Sequence, residues 1–579
     1  MDRRVLLWVA PLLLLLATWE LFLTASYPLI GHDYTYVFPR LLAGVWHFTR
    51  QGFWPFWWVP HLCGGLPQYG NPHDYFYSLP QFLVIAGMDL WSAMRLSTLF
   101  FLILGYIGWV RVGRDVLRVD GVWAHLLALI VVASGYHFLH SMVGHLSFQP
   151  TPLLGWIVWI LFDHAPDTLR SLIVRALGMA AIAGYCLYSG ANFVLIQAAI
   201  FIAFLFLFMV VIAVERWGFL KMFFIRVVAC GIATLALAAS KLVAVWSVMR
   251  FFPRHTELWS LPEGETALPF MFKAIFGFPQ RWQLYSTPKQ WHEYGQWVSP
   301  VVVPGLLAAG LAWWRRARCS MRSWVLGFLI LFTVAFFLQL SAGGGWIVTS
   351  LQSLPVFSSL RVATRFLLIL ALLMAMCGIW GLHACFDVWK GGVWKGRAAA
   401  ILSFSTVVLF YGAFVGFVHS PLTDRPLDYA RIKRNIQQHA DFVQKTPRVV
   451  EDFRGQKISD VGYLTAGTVG VECYEPLLAG NTFLTPLVAG SVEQVIGGTY
   501  NINNPACLMF PEENGCKPGD RIALDDRANM EKFLAGEATT WRMSHLQRVA
   551  NVVTLVALLF GFSCIVYAIG EKVRRRFVR

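Results

Sequence analysis

Uninterrupted apolar blocks of about twenty residues recur along this chain, and each has the length that lets a helix cross a hydrocarbon layer about 30 Å thick. Lipid offers no partner to an unpaired peptide group, so such blocks must be helical. Candidate spans run over roughly 5–23, 81–110, 122–140, 151–163, 172–189, 192–214, 224–249, 298–314, 323–340, 364–384, 398–418 and 546–570, twelve in all. The first begins after Arg3 and Arg4 and is longer than the apolar part of a cleavable signal, so we read it as a retained helix. Composition agrees: 57% of the 579 residues are hydrophobic and 14% charged, against about 25% charged in soluble proteins. An ordinary soluble enzyme is excluded.

A net charge of +15 would suggest nucleic acid in a soluble chain. Here the cations cluster in alternate connections between spans: Arg3/Arg4, Arg111/Arg114/Arg118, Arg170/Arg175, Arg216/Lys221/Arg226, Arg315/Arg316/Arg318/Arg322, Lys390/Lys395/Arg397 and Lys572/Arg574/Arg575/Arg576/Arg579. The intervening loops 141–150 and 189–192 carry no Lys or Arg. The positive-inside rule places the cationic set and both termini in the cytoplasm. No nucleic-acid partner is expected. The implied topology is a chain that crosses the membrane many times with its large loops on the outer side.

Three large segments then face outward: loop 24–80, loop 250–297 and segment 419–545, which is soluble in character. The expected fold class is an all-α polytopic membrane protein of about twelve helices with a small α/β or β-rich outer domain. Its divisions are a transmembrane module over 1–418, the outer domain over 419–545, and a last helix with a basic tail over 546–579. In the outer domain, Cys507 and Cys516 flank a short loop on the oxidising side, where a structural disulfide is expected. The chain shows no internal repeat and no CxxC pair of the zinc-binding kind.

Asp33, with His32 beside it, lies about ten residues beyond the first span. A carboxylate there can serve as a general base or hold a divalent metal, or simply cap a helix. An amphipathic stretch, Leu41–Arg50, follows, and then Phe53-Trp54-Pro55-Phe56-Trp57-Trp58, Gly64-Gly65-Leu66-Pro67, Asn71-Pro72 and Tyr77-Ser78-Leu79-Pro80. Trp54, Trp57 and Trp58 fit interfacial anchors better than sugar-stacking platforms. Asp74 fits a turn better than a catalyst.

This succession resembles the bacterial GT-C membrane glycosyltransferases, and among them the YfhO-like branch, whose first loop has the form W-N-P-x-x-x-G-G-x-P and N-P-x-x-x-x-Y-P. Further points of likeness are Gly144-His145-Leu146-Ser147-Phe148-Gln149, Ser189-Gly190-Ala191-Asn192 and Leu360-Arg361-Val362-Ala363-Thr364-Arg365-Phe366. The likeness covers about residues 1–420. It implies a polyprenyl-phosphate or polyprenyl-diphosphate sugar as donor, reaction at the outer face without a nucleotide-sugar site, and Asp33 as the catalytic carboxylate. The chain departs from the commonest pattern in having His32, not a second acidic residue, next to Asp33.

A lipid-phosphate donor needs cations at the interface, and arginine grips phosphate with two bonds. Arg361 and Arg365 are four apart, as are Arg250 and Arg254, so each pair would share a helix face, either on phosphate or snorkelling to the interface. His145 and Gln149 share that spacing and could meet a sugar or phosphate, or solvate a helix end. Glu293 opens the eighth span, where it could bind acceptor or metal, or answer the helix dipole. Lys241 lies inside the seventh span, where a charge must be paired or functional. A divalent cation, Mg2+ or Mn2+, is the one cofactor admitted, with Asp33 and Glu293 as its candidate ligands.

The function expected is transfer of a sugar from a lipid-linked donor to a lipid, glycan or protein acceptor of the cell envelope, with inversion and with Asp33 as base. A transporter or flippase of lipid-linked glycans is the alternative. That class places polar groups along a mid-membrane path, whereas the candidates here cluster at the outer surface. A non-catalytic envelope-assembly subunit, docking through 419–545, is the third reading. No Walker, HExxH or GxSxG pattern in suitable context supports ATP hydrolysis or proteolysis.

Overall fold

The computed structural model describes residues 3–24, 33–213, 215–253, 261, 265–277, 291–316, 321–354, 357–359, 361–388, 392–418, 427–451, 460–471, 475 and 486–577. The membrane part comprises α1 (Arg3–Phe22), α2 (Tyr34–Gln51), α3 (Leu79–Ile85), α4 (Leu90–Arg111), α5 (Gly121–Val132), α6 (Gly135–Val143), α7 (Leu154–Phe162), α8 (Leu169–Tyr188), α9 (Asn192–Ile212) and α10 (Arg216–Met249). It continues with α11 (Ala267–Phe276), α12 (Trp291–Tyr294), α13 (Val302–Arg316), α14 (Met321–Ala342), α15 (Trp346–Gln352), α16 (Leu367–Val388) and α17 (Gly392–Val418). The C-terminal segment contains α18 (Tyr429–Gln438), α19 (Asp460–Ala466), α20 (Pro505–Met509), α21 (Pro511–Asn514), α22 (Arg527–Ala535) and the long α23 (His545–Phe577). Among the described residues, nine helical stretches are long and apolar enough to cross a membrane. The chain is a multi-pass membrane protein, mostly helical, with a few strands near its C-terminal end.

Two expected spans are broken, each for a local reason. The stretch 81–110 divides into α3 and α4 because Gly87 takes a φ of +97° and Asp89 then caps α4, its carboxylate accepting from Ser92 N. The stretch 122–140 divides into α5 and α6 at Ser134, whose backbone is extended. The amides of Gly135 and Tyr136, left open by that break, donate to the carbonyls of Trp297 and Gln296. A Cβ at Gly135 would lie 2.6 Å from Trp297 Cβ, so loop 291–301 is pressed onto the start of α6. The eighth span also starts later than expected, at Val302, and Glu293 sits on the separate turn α12. The apolar helix α11 inside loop 250–297 was not foreseen; its Ala274 and Ile275 carbonyls accept from Gln296, Trp297 and Val298 amides.

Close packing fixes the frame behind that loop. Where α13 crosses α16, a Cβ at Gly305 would meet Gly378 O at 2.3 Å and one at Gly381 would meet Gly305 O at 2.2 Å. Small residues permit this backbone approach, which is how helices associate where apolar burial alone gives little drive.

Among the described residues, the C-terminal segment forms two three-stranded sheets. In one, β3 (Val449–Glu451) pairs parallel with β4 (Val469–Gly470) and antiparallel with β5 (Gly490–Ser491). In the other, β7 (Thr499–Asn503) lies antiparallel between β6 (Val495–Ile496) and β8 (Arg521–Ala523). Val450, Val469, Ile502, Ile522, Met530 and Phe533 form its small core. Cys507 and Cys516 are disulfide-bonded, as expected, and Cys63 of the first loop is disulfide-bonded too.

This domain sits on α2. The amphipathic stretch Leu41–Arg50 is buried on nearly every side, as is Arg40 just before it. Arg40 Nη2 meets Glu475 Oε2 at 2.8 Å, with both side chains 1% exposed. Arg50 donates to the carbonyls of Val443, Gln444 and Gly536, and Trp46 Nε1 to Lys445 O. Trp57 and Trp58, expected as membrane anchors, pack against Phe510 and Phe533 of this domain; Trp54 remains exposed.

Candidate active site at the start of α2

Asp33 stands at the N-cap of α2, but its side chain makes no capping bond. The Asp33 amide donates to Val143 O, and Tyr34 Oη donates to Ser141 O at 2.5 Å, so the second loop is stitched to the helix start. Gly144 permits this approach: its φ is +82°, and a Cβ there would lie 2.7 Å from Tyr34 N. The chain then turns back, and His145 Nε2 comes to 3.0 Å from Asp33 Oδ2. The His145 side chain is 5% exposed and that of Asp33 28%, so the carboxylate forms the open edge of the pair.

A second pair lies against the first. Arg365 grips Glu293 with two bonds, Nε to Oε2 at 2.5 Å and Nη2 to Oε1. Thr364 Oγ1 donates to Glu293 O, and Gln197 Nε2 donates to Arg365 O, so both backbones are held from neighbouring segments. The guanidinium lies 4.8 Å from the Phe148 ring and 5.6 Å from that of Phe193. Glu293 is 2% exposed and Arg365 18%.

His140 of α6 joins the pairs. Its Nδ1 is 2.9 Å from Tyr136 O, and a carbonyl can only accept, so Nδ1 carries the proton. The Nε2 lone pair then faces Glu293 Oε2 at 4.0 Å, and the ring lies 5.1 Å from that of His145. Each of His140, His145 and Glu293 offers one ligand atom, and the three atoms lie within 4.8 Å of one another. Two imidazoles and a carboxylate suit Zn2+ and similar transition metals, whereas Mg2+ prefers oxygen donors throughout. Of the two cations admitted from sequence, Mn2+, a transition metal, is the better match to a set with two imidazoles. Asp33 belongs to the edge of this group through His145 and is not one of the three.

The remaining candidates are placed elsewhere. Gln149 Nε2 donates to Thr98 Oγ1 and Met94 O, pinning the turn after His145 onto α4. Lys241 finds the partner that sequence could not name: its Nζ donates to Tyr69 O, Asn71 O and Asp74 Oδ2, and so holds the first loop onto α10. Arg250 pairs with Glu512 of the C-terminal domain and lies over Trp246 and Phe251. Arg361 is half-buried and precedes the 3-10 turn Ala363–Phe366, with Val362 extended between, so it does not share a helix face with Arg365. His32 and Arg254 lie outside the described residues.

No family model matches the chain, and no curated protein matches it. Among solved structures it is similar to ArnT from Cupriavidus metallidurans bound to undecaprenyl phosphate, at 14% identity and a TM-score of 0.49 over 82% of this chain and 87% of that one. It is similar to the apo state of the same protein at 14% identity and a TM-score of 0.45, covering 83% and 87%.

His140 is the functional candidate that sequence reasoning missed. Three histidines, His137, His140 and His145, fall within nine residues at the end of one apolar span. Imidazole at that density inside an apolar stretch was the available signal.

Proposed function

We propose that this protein is a membrane glycosyltransferase that moves a sugar from a polyprenyl-phosphate donor to an acceptor hydroxyl, with Asp33 as general base. The observation that carries the proposal is the meeting of Asp33, His145, Glu293 and Arg365 from four distant parts of the chain. In this reading His145 orients Asp33 and leaves its exposed carboxylate edge turned to the acceptor, a role in which a positioned base typically contributes about 10²–10⁴-fold. Arg365, tied to Glu293 and still partly exposed, meets the donor phosphate. Displacement by the deprotonated hydroxyl from the face opposite the leaving phosphate inverts the anomeric carbon. His140, His145 and Glu293 would hold a divalent cation, which would supply charge stabilisation to the leaving phosphate when bound. Arg361 and Arg254, with His32, are proposed to add contacts to the donor head group. The C-terminal domain and the Asp33 site are assigned to the periplasmic or extracellular side, and both termini to the cytoplasm.

Purified protein offered a panel of radiolabelled polyprenyl-phosphate sugars, with crude envelope glycolipid as acceptor, tests this. The reading expects labelled product and released polyprenyl phosphate, with activity lost in chelator and restored by Mn2+. Manganese paramagnetic resonance should show one bound ion that His140→Ala releases. Donor lipid that crosses a vesicle with its sugar still attached would favour the flippase reading and contradict this one.

A further inference from the structure

A cavity of about 300 Å3 lies between the C-terminal end of α2, the first loop and the chain leading into α23. Four tryptophans contribute to its lining, Trp46, Trp57, Trp58 and Trp541, together with Thr539 and Glu537. The Trp57 and Trp541 rings stand nearly perpendicular, 6.5 Å apart, one from the first loop and one from the segment before the last helix. Trp57, Trp58 and Trp541 are each half-buried, and Glu537 is exposed at the rim.

The chemistry of the lining selects a class of ligand. No Lys or Arg is among the described residues that form it. Arg50, which reaches Gly536 of the lining, is spent on the Val443, Gln444 and Gly536 carbonyls and on the Trp46 ring. A phosphate or a uronate would find no Lys or Arg in the lining, the neighbouring Lys532 being turned to Thr540 Oγ1. A purely apolar ligand would have to strip water from Glu537, Thr539 and Gln51 without replacing their bonds. A neutral pyranose meets both conditions: its C–H faces pack on indole, and its hydroxyls bond to carboxylate, amide and hydroxyl groups. The volume falls at the lower end of the range of small-molecule sites.

We infer that this cavity is a binding site for a neutral hexose unit of a glycan chain. The same α2 that carries Asp33 at its start presents Trp46 thirteen residues on, roughly 20 Å along the helix axis. The cavity is thus a remote subsite, able to hold a polymer several units from the reacting end. The inference rests on the transferase reading only for naming that glycan an acceptor; binding is read apart from transfer.

The test uses the full chain in a detergent without a sugar head group, titrated with linear hexasaccharides of glucose, mannose and galactose and with an acidic hexauronate. Calorimetry and tryptophan fluorescence report binding. The expected result is saturable binding of at least one neutral hexasaccharide. Trp541→Leu should weaken it about tenfold, Trp541→Phe should largely retain it, and Glu537→Gln should weaken it. Asp33→Asn should leave it unchanged. Glu537 is exposed, so its variant keeps the test valid should the tryptophan variant misfold. Absence of binding by every neutral sugar, tighter binding of the hexauronate, or affinity unaltered in the Trp541→Leu and Glu537→Gln variants would overturn the proposal. Glycan binding without any sugar transfer would sustain this site and count against the transferase reading alone.

Discussion

Buried histidines set the character of this protein at the residue scale, and two of them lie in the first loop. His61 is fully buried with neither ring nitrogen hydrogen-bonded, and burial, aided by the nearby Arg50 charge, lowers its pKa to about 3. His47 is lowered to about 4, again mainly by burial. In the unfolded chain both titrate near 6.5, so between that pH and their folded values the unfolded state binds more protons. Stability therefore falls as pH drops through that window, by about 2 kcal/mol per histidine at pH 5. Thermal unfolding in detergent should show a lower midpoint at pH 5 than at pH 7.5, and the drop should shrink in His61→Leu. An equal drop in that variant would contradict the assignment. Single residues were also where sequence was most and least legible. Asp33, His145, Glu293 and Arg365 were each marked as a polar group in or near the ends of apolar spans, and all four meet. Lys241, inside a span, and Arg250, at the end of one, were marked too, yet their partners, Asp74 and Glu512, lie 167 and 262 residues away. Spacing along the chain says that a buried charge needs a partner, not which one.

Among the elements, the broken span does the positioning. Had 121–143 run as one helix, the amides of Gly135 and Tyr136 would have bonded within it, and loop 291–301 would have lacked its anchor. Ser134-Gly135 and the polar residues that follow mark a weak point in this stretch, but the partners that stabilise the break come from another loop and cannot be read from it. Helix existence was legible because lipid enforces it. Helix ends and the order of packing were not, since they depend on contacts such as the Gly305–Gly381 crossing of α13 and α16. That crossing carries α16, whose entry holds Arg365. Gly381→Leu, which must displace backbone 2.2 Å away, should cost about 1–3 kcal/mol and lower the thermal midpoint. Gly310→Leu, on α13 with no atom within 4 Å of its added carbon, is the control and should be neutral. Matching losses in the two would refute close packing as the reason for glycine at the crossing.

The whole molecule joins a helical membrane frame to a C-terminal segment with a few strands, and α2 is buried between them. An amphipathic pattern is the same for a helix on lipid and a helix under other protein, so the pattern of Leu41–Arg50 alone does not say what covers it. Orientation is a property of the entire chain, and the one proposed rests on its alternating cationic loops. Arg527→Cys, on the C-terminal domain, should react with a membrane-impermeant maleimide on intact cells, and Arg170→Cys only after permeabilisation; both side chains are well exposed. The reverse labelling would invert the topology and move the Asp33 site to the cytoplasm. The central claim, that Asp33 held by His145 is the base for sugar transfer, is tested most directly by single-turnover transfer from a bound polyprenyl-phosphate sugar, comparing wild type with Asp33→Asn while donor binding is measured on the same samples. The account predicts transfer slowed by about 10²-fold or more in Asp33→Asn with donor affinity preserved. Transfer at the wild-type rate in that variant would contradict it.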